Sequence, residues 1–321
     1  MTDLGEALRL ALATRLTGVG AETLRGPVER LIEAYRSGTP PTAPILSSRS
    51  DIAAYAAYRM PATYAAVRAA LASFQPAAEP HSLVDVGGGT GAAAWAALDA
   101  FEGITEVTVL DQAGGALEFG RELALGCPRA GLREATWRSQ SLPAEVPSAD
   151  LATVSYVLGE LPPEQRDALV DAVDRAAGVV VLVEPGTPAG YERIIAARTR
   201  LLAAGRTVVA PCPHQQPCPI VPGRDWCHFG VRVNRSALHR RIKDAELGYE
   251  DEKFSYVVAV RPGLAEPREG DRVLRRPVQR KGLVQLRLCT REGALADRIV
   301  SKRQGADYKR ARDVSWGDDF A

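Results

Sequence analysis

Two stretches of the chain hold residues whose types and spacing can do chemistry. The first is Leu83–Gly91, LVDVGGGTG, in which an apolar run passes through Asp85 and reaches Gly87, Gly88, Gly89 and Gly91 just before the Ala-rich segment Ala92–Ala100. That pattern reads as a strand, a tight turn and a helix start. Glycines in such a turn remove the Cβ between backbone and ligand, and the free N–H groups of the helix N-terminus favour a polar or anionic group. The second stretch is 210–230, APCPHQQPCPIVPGRDWCHFG, which places Cys212, Cys218 and Cys227 among prolines, with His214 and His228 close by. Proline-stiffened turns cannot carry regular strand or helix through those thiols, so the segment needs something that bridges them, and a metal or cluster is the simplest bridge.

A fourth ligand has to come from elsewhere in the chain, and Cys289, at the end of the segment LVQLRLC, is the best candidate. Zinc favours closely spaced Cys-x-x-Cys knuckles, which are missing here; four thiolates with long spacings suit a 4Fe-4S cluster better, and zinc remains the alternative. For His214 and His228 the expected role is loop packing or hydrogen bonding behind the ligands. Cys127 reads as a small buried hydrophobe.

The glycine stretch fits two ligand classes. Gly87-x-Gly89-x-x-Ala92, with Asp111 about twenty residues on, reads as a dinucleotide fingerprint, which keeps an NAD-dependent redox enzyme open as an alternative. Asp85, two residues before the first glycine, makes the run D-x-G-x-G-x-G, and this resembles motif I of the S-adenosylmethionine-dependent methyltransferases. The resemblance implies a loop facing the methionine part of the cofactor and an acid, Asp111, on the ribose hydroxyls.

The elements that must position these residues follow from hydrophobic period. Residues 1–80 read as a helical region, with apolar positions recurring at three and four, a Pro-rich break at Pro40–Pro44 and a bend or restart at Pro61. Asp51 and Thr63 are candidate helix starters. From 81 the pattern alternates strand and helix: strands at 82–86, 106–110, 135–138, 150–157 and 179–183, helices at 92–100, 113–125, 163–176 and 189–203. That is the βαβ alternation of a doubly wound parallel sheet, whose ligand lies outside the carboxyl ends of the strands. Asp85, Gly87, Gly89, Asp111, the Ser139–Ser141 loop with Gln140, and Ser155–Tyr156 therefore gather at one edge. The segments SYVLGELP and VLVEPGTP look like the corresponding loops of class I methyltransferases, whose sheet ends in an antiparallel pair; 254–260 and 283–289 are the candidates for that pair. No catalytic element of a known methyltransferase subclass is recognisable, so the catalytic residues stay unassigned. The expected organisation is a helical region at 1–80, a methyltransferase-like domain at 81–296 with a four-cysteine metal-binding hairpin inserted at about 207–232, and a basic tail at 297–321.

Composition sets the class. Of 321 residues 25% are charged and 46% hydrophobic, and no apolar run approaches a membrane span, which together predict a globular protein with no membrane partner. The first residues carry acids and no cleavage-like site, and the thiols fit a reducing compartment, so the expected location is cytoplasmic. A net charge of +1 hides an asymmetry: 268–312 holds 14 Lys or Arg against 5 Asp or Glu, a net +9, and the rest of the chain carries −8. Arg272, Arg275, Arg276, Arg280 and Lys281 form one cluster, and Lys302, Arg303, Lys309, Arg310 and Arg312 another, with Tyr308 and Trp316 available for stacking. These fit RNA phosphates.

DVGGGTG, APCPHQQPCP, DWCHF, KGLVQLRLC and VSKRQGADYKRARDVSWGD together resemble the methyltransferase-like proteins of the mitochondrial small ribosomal subunit and their bacterial relatives, over most of the chain from about residue 50. The resemblance implies a class I methyltransferase fold, an iron–sulfur site formed by Cys212, Cys218, Cys227 and Cys289, and a role in small-subunit assembly through ribosomal RNA. The expected protein is a monomeric, rRNA-binding assembly factor. The alternative is an active rRNA methyltransferase in which Glu160 or Tyr156 orients the acceptor.

Overall fold

The computed structural model describes residues 3–36, 45–142, 145–243 and 246–321. Four helices come first: α1 (Leu4–Arg15), α2 (Ala21–Arg36), α3 (Arg49–Tyr58) and α4 (Met60–Leu71). Pro61 restarts the chain as expected, sitting in the first turn of α4 where its missing N–H costs nothing. Asp51 does not itself cap α3. Ser48 does, accepting from the Asp51 N–H, and its hydroxyl donates back to the Asp51 carboxylate. Thr63 lies buried inside α4 rather than at a start. The break expected at Pro40–Pro44 lies outside the described residues.

The alternating region follows as β1 (Ser82–Val86), α5 (Ala92–Ala100), β2 (Glu106–Asp111), α6 (Gly114–Ala124), α7 (Ala130–Arg133), β3 (Thr136–Ser139), β4 (Ala149–Ser155), α8 (Pro163–Ala176), β5 (Ala177–Pro185), α9 (Pro188–Ala203), β6 (Thr207–Ala210), β7 (Phe229–Asn234), α10 (Ala237–Lys243) and β8 (Tyr249–Val260). The sheet order is β3-β2-β1-β4-β5-β8-β6, with β7 also on β8. The first five strands are parallel, and β8 runs antiparallel between β5 and β6. This is the Rossmann-like class I methyltransferase fold. Register aligns the carboxyl ends: Val86 lies beside Leu110 and Val154, Asp111 beside Ser139, and Ser155 beside Val183. Every loop that follows a parallel strand therefore opens at one edge.

One face of the sheet carries α5, and the N-terminal helices cover α5 in turn, α4 packing on α5 and β8 and α1 on α5 and α6. Ala92–Leu98 is buried throughout, because α5 has neighbours on both sides; its alanines let two layers approach, and Trp95 fills the remaining space.

The chain ends in a second sheet of β9 (Asp271–Val273), β10 (Val278–Arg280), β11 (Leu283–Cys289), β12 (Leu295–Ser301) and β13 (Asp319–Phe320), with α11 (Ala306–Asp313) packed against β11 and β12. It has its own core of Val273, Val284, Leu286, Leu288, Val300, Ala311 and Phe320.

Three expectations are corrected here. Segment 283–289 is not the partner of 254–260; it is β11 of the second sheet, and the reversed strand β8 pairs instead with the four-residue β6. The alternation of LVQLRLC marks a half-buried antiparallel strand without saying in which sheet it lies. The cysteine segment is not a hairpin either: β6 and β7 do not pair with each other but lie against different halves of β8, and 211–228 loops between them. Prolines 211, 213, 217, 219 and 222 deny that loop the donors a ladder needs. Finally, 297–321 is not a free tail. The boundary at 296/297 falls inside β12, which pairs residue by residue with β11. No described helix is long and apolar enough to cross a membrane.

Candidate nucleoside pocket and four-cysteine cavity

The pocket at the carboxyl edge of the first sheet is lined by Gly87, Gly88, Gly89, Asp111, Gln112, Ser155, Tyr156, Glu160 and apolar side chains that include Ile45, Leu46 and Leu142. Two glycines show why the loop is built this way. Gly87 has φ +69°, and a Cβ there would stand 2.2 Å from Val157. Gly89 has φ +53°, and a Cβ would meet no protein atom closer than 3.7 Å, so its absence leaves the pocket floor open. Asp111 fixes the loop: one carboxylate oxygen accepts from the Gly89 N–H at 2.9 Å and the other from the Ala113 N–H at 2.7 Å. With the Gln112 N–H also directed at it, the carboxylate still has acceptor capacity left for a ligand hydroxyl.

Asp85, by contrast, does not line the pocket. It is sealed beneath the loop, accepting from the Thr153 hydroxyl at 2.8 Å, and its other oxygen has no partner; burial pushes its carboxyl up to about 7. Gly91 likewise lies off the pocket, at the head of α5. Gln140 turns away to Arg138 and the Glu145 carbonyl. Ser155 lines the pocket with its hydroxyl buried and unpartnered.

Tyr156 follows with φ +63°, the left-handed region, which a bulky side chain occupies only when its surroundings hold it there. Its N–H donates to the Val183 carbonyl at 2.7 Å and its hydroxyl to Glu252 at 2.8 Å. Glu252 in turn takes both ends of the Arg59 guanidinium at 2.9 Å, so the α3–α4 junction, β8 and the pocket wall form one network. Below the wall, buried Glu184 accepts from the Leu158 N–H and pairs with Arg193 at 2.7 Å, holding the turn that presents Glu160. Burial, with Asp111 and Glu184 nearby, pushes the Glu160 carboxyl up to about 8.

The four cysteines named from sequence come together. Cys212, Cys218, Cys227 and Cys289 line a single cavity with Tyr191, Arg198, Tyr256, Arg272 and apolar neighbours. Cys212 follows β6, Cys227 precedes β7, Cys218 sits between them in the loop, and Cys289 ends β11, so the cavity lies where the two sheets meet. Cys289 Sγ is 3.3 Å from His214 Nε2, and Cys218 Sγ is 3.3 Å from the Tyr191 hydroxyl. Burial pushes the Cys227 thiol well up and that of Cys289 up to about 12. Cys212 is also raised by burial, and the Arg198 guanidinium, by charge and a hydrogen bond, works against that rise with help from Arg272. Among the described residues no group of three or more His, Cys, Asp or Glu side chains is arranged to hold a metal ion. Cys127 is buried in the main core, as expected. His228 stacks on Trp226 with ring centroids 5.1 Å apart.

The basic clusters divide in the structure. Arg272 is 2% exposed and faces inward, donating to the Pro211 carbonyl at 2.9 Å and pairing with Asp319 at 3.0 Å. Arg275 binds Asp225 and the Trp226 carbonyl, and Arg276 pairs with Asp251. Trp316 packs edge-on against His228, with its indole nitrogen buried, and Tyr308 packs on the second core, so neither ring lies free as a stacking platform. Arg280, Lys281, Lys302, Arg303, Lys309 and Arg312 are exposed. The Lys302 N–H donates to the Gly282 carbonyl, and Gln279 donates to the Arg312 carbonyl, which brings most of these cations to one end of the second sheet.

The family description "Mitochondrial small ribosomal subunit Rsm22" matches residues 49–321. The chain belongs to the Rsm22 family. Human "Ribosome assembly protein METTL17, mitochondrial" is 30% identical over 284 residues, covering 82% of this chain and 61% of the human protein. "Rsm22-cox11 tandem protein 2, mitochondrial" of Schizosaccharomyces pombe is 28% identical over 205 residues, 48% of this chain and 26% of that protein. The chain thus spans under two thirds of either relative. Among solved structures, precorrin-6y C5,15-methyltransferase of Geobacter metallireducens aligns at 16% identity over 61% of this chain and 86% of its own, with a TM-score of 0.41.

Rsm22-family membership corrects the expected cytoplasmic location, since the family and these relatives carry mitochondrial names. Reduced thiols separate reducing from oxidising surroundings and do not say which reducing compartment holds the protein. Sequence reading of this Rsm22-family chain also missed Arg59, Glu184, Arg193 and Glu252. Only Glu184 carried a signal, as an acid in the otherwise apolar run VLVEPG; Arg193 and Glu252 sit among other charged residues, and nothing local marked Arg59.

Proposed function

We propose that this chain is an rRNA-binding assembly factor of the small ribosomal subunit, built on an S-adenosylmethionine-binding fold and an iron–sulfur cluster. The observation that carries the proposal is the convergence of four cysteines from both sheets on one cavity, at the root of the sheet that displays the exposed cations. Cys212, Cys218, Cys227 and Cys289 would hold the cluster. Their residue types fit it, and their sharing of one cavity, with long spacings and no Cys-x-x-Cys knuckle among them, supports a cluster over zinc. When bound, the cluster would supply a covalent tie between the sheets and a site able to take up an electron. The relatives' ribosome-assembly and small-subunit names support the biological role.

The glycine pocket fits a nucleoside cofactor by its open floor at Gly89, the remaining acceptor capacity of Asp111 and the unpartnered hydroxyl of Ser155. S-adenosylmethionine, when bound, would supply a transferable methyl group; Asp111 would take the ribose hydroxyls and Gly87–Gly89 would let the backbone approach. A second reading, an active rRNA methyltransferase, is favoured by one feature: Tyr156 is held in a strained conformation on the pocket wall beside Glu160. Cells lacking the protein distinguish the two. Precursor small subunits with unchanged rRNA methylation support the assembly factor, a missing methyl group supports the enzyme, and normal subunits with normal methylation would defeat both.

A further inference from the structure

Two guanidinium groups are buried on the cysteine cavity, and they differ in how their charge is met. Arg272 has Asp319 at 3.0 Å. Arg198, on α9 and 2% exposed, has no carboxylate partner among the described residues. One of its terminal nitrogens donates to the carbonyls of His214 and Gln216, each at 2.9 Å, which fixes the loop between Cys212 and Cys218. Its Nε is buried with no hydrogen-bonded oxygen or nitrogen, and the guanidinium faces the Cys212 thiol.

A buried cation without a counterion is strongly unfavourable, and carbonyl oxygens meet its hydrogen-bonding capacity without neutralising it. The four thiols beside it carry no charge while protonated. Once they are thiolates around a metal centre, the group they form has net negative charge, and it stands against the Arg198 side chain. The orphaned cation and the sulfur-lined void are complementary halves of one electrostatic arrangement.

We propose that Arg198 is the countercharge of the four-cysteine site: it pins the Cys212–Cys218 loop through two carbonyls and sets its positive charge against the anionic metal–thiolate group, governing how firmly that group is kept and how readily it is reduced. The inference rests on the cluster reading above. Arg198 is a positioning residue, and it touches no reacting atom of a substrate.

The test uses the full chain purified anaerobically as wild type, Arg198→Met and Arg198→Lys, all with matching far-ultraviolet circular dichroism. Iron and acid-labile sulfide in the wild type establish the cluster; their absence defeats the cluster reading and this inference with it. With the cluster present, Arg198→Met is expected to lose iron to a chelator about tenfold faster or more, the usual scale for removing a group behind metal ligands. Its midpoint potential in a dithionite titration is expected to move to more negative values, because the missing cation favoured the reduced, more negative state. Iron retention and potential equal to wild type would overturn the proposal. Should Arg198→Met fail to fold, Arg198→Lys decides: charge retained with hydrogen bonds weakened predicts faster iron loss at an almost unchanged potential, and wild-type retention together with a shifted potential overturns it.

Discussion

Glu160 shows how much a single side chain can reveal about its setting. Burial and two neighbouring acids push its carboxyl up to about 8, so the folded chain holds a proton at neutral pH that the unfolded chain has released. The sign follows from linkage: stability tied to this group is intact below the ordinary carboxylate range and drains away as pH climbs towards 8. Glu160→Gln should therefore match the wild type in urea unfolding near pH 4 and exceed it near pH 8.5, by up to a few kcal/mol at about 1.4 kcal/mol per pKa unit. Equal stability at both pH values would show that the carboxyl is solvated rather than enclosed. Gly87→Ala makes the complementary case on the pocket floor. Strain at φ +69° and the clash with Val157 should abolish S-adenosylmethionine binding in calorimetry, and Val157→Ala should restore it only in part, because it relieves the clash and leaves the strain. Undiminished binding by Gly87→Ala would place the cofactor elsewhere. These residues were unequally legible in the sequence. Asp111 and the glycines stood out through their spacing, whereas Asp85 looked like a ligand-facing acid and turns out to be sealed beneath the loop, since strand alternation does not say which buried face meets the pocket.

Elements were readable wherever local periodicity decided them. α5 and α8 fall on their expected residues because the apolar spacing and the flanking glycines and prolines are local signals. β6, four residues long, gave no such signal, and β11 gave a good one that was silent about its sheet. β11 meets the first sheet's loop at its last residue: Cys289 lines the cavity from the second sheet while the other three cysteines belong to that loop. On the proposed function, a cluster there would give the second sheet a covalent anchor beyond Arg272 and Arg275. Cys289→Ser should consequently raise hydrogen exchange across 271–320 and leave β1, β4 and β5 protected as in the wild type. A uniform loss of protection in both sheets, or no change in either, would contradict that division of labour.

At the scale of the whole molecule, a chain of net +1 concentrates its excess positive charge on one module and leaves the rest net acidic. The sequence showed that asymmetry but not which cations are spent internally, because the partners of Arg272, Arg275 and Arg276 come from distant segments. Exposed Arg280, Lys281, Lys302, Arg303, Lys309 and Arg312 remain for pairing with phosphates. Replacing Lys281 or Lys302 by alanine should weaken binding to small-subunit rRNA and lower the slope of log affinity against log salt by about 0.7 to 0.9 for each phosphate no longer neutralised. Arg276→Ala, whose partner is Asp251, should leave that slope unchanged. The proposed function joins the sheets through a cluster on four sulfurs, and elemental analysis of the anaerobically purified chain tests that joint most directly. Iron and acid-labile sulfide in equal amounts, both missing from Cys218→Ser, is the result expected; stoichiometric zinc without sulfide, or no metal at all, would contradict it.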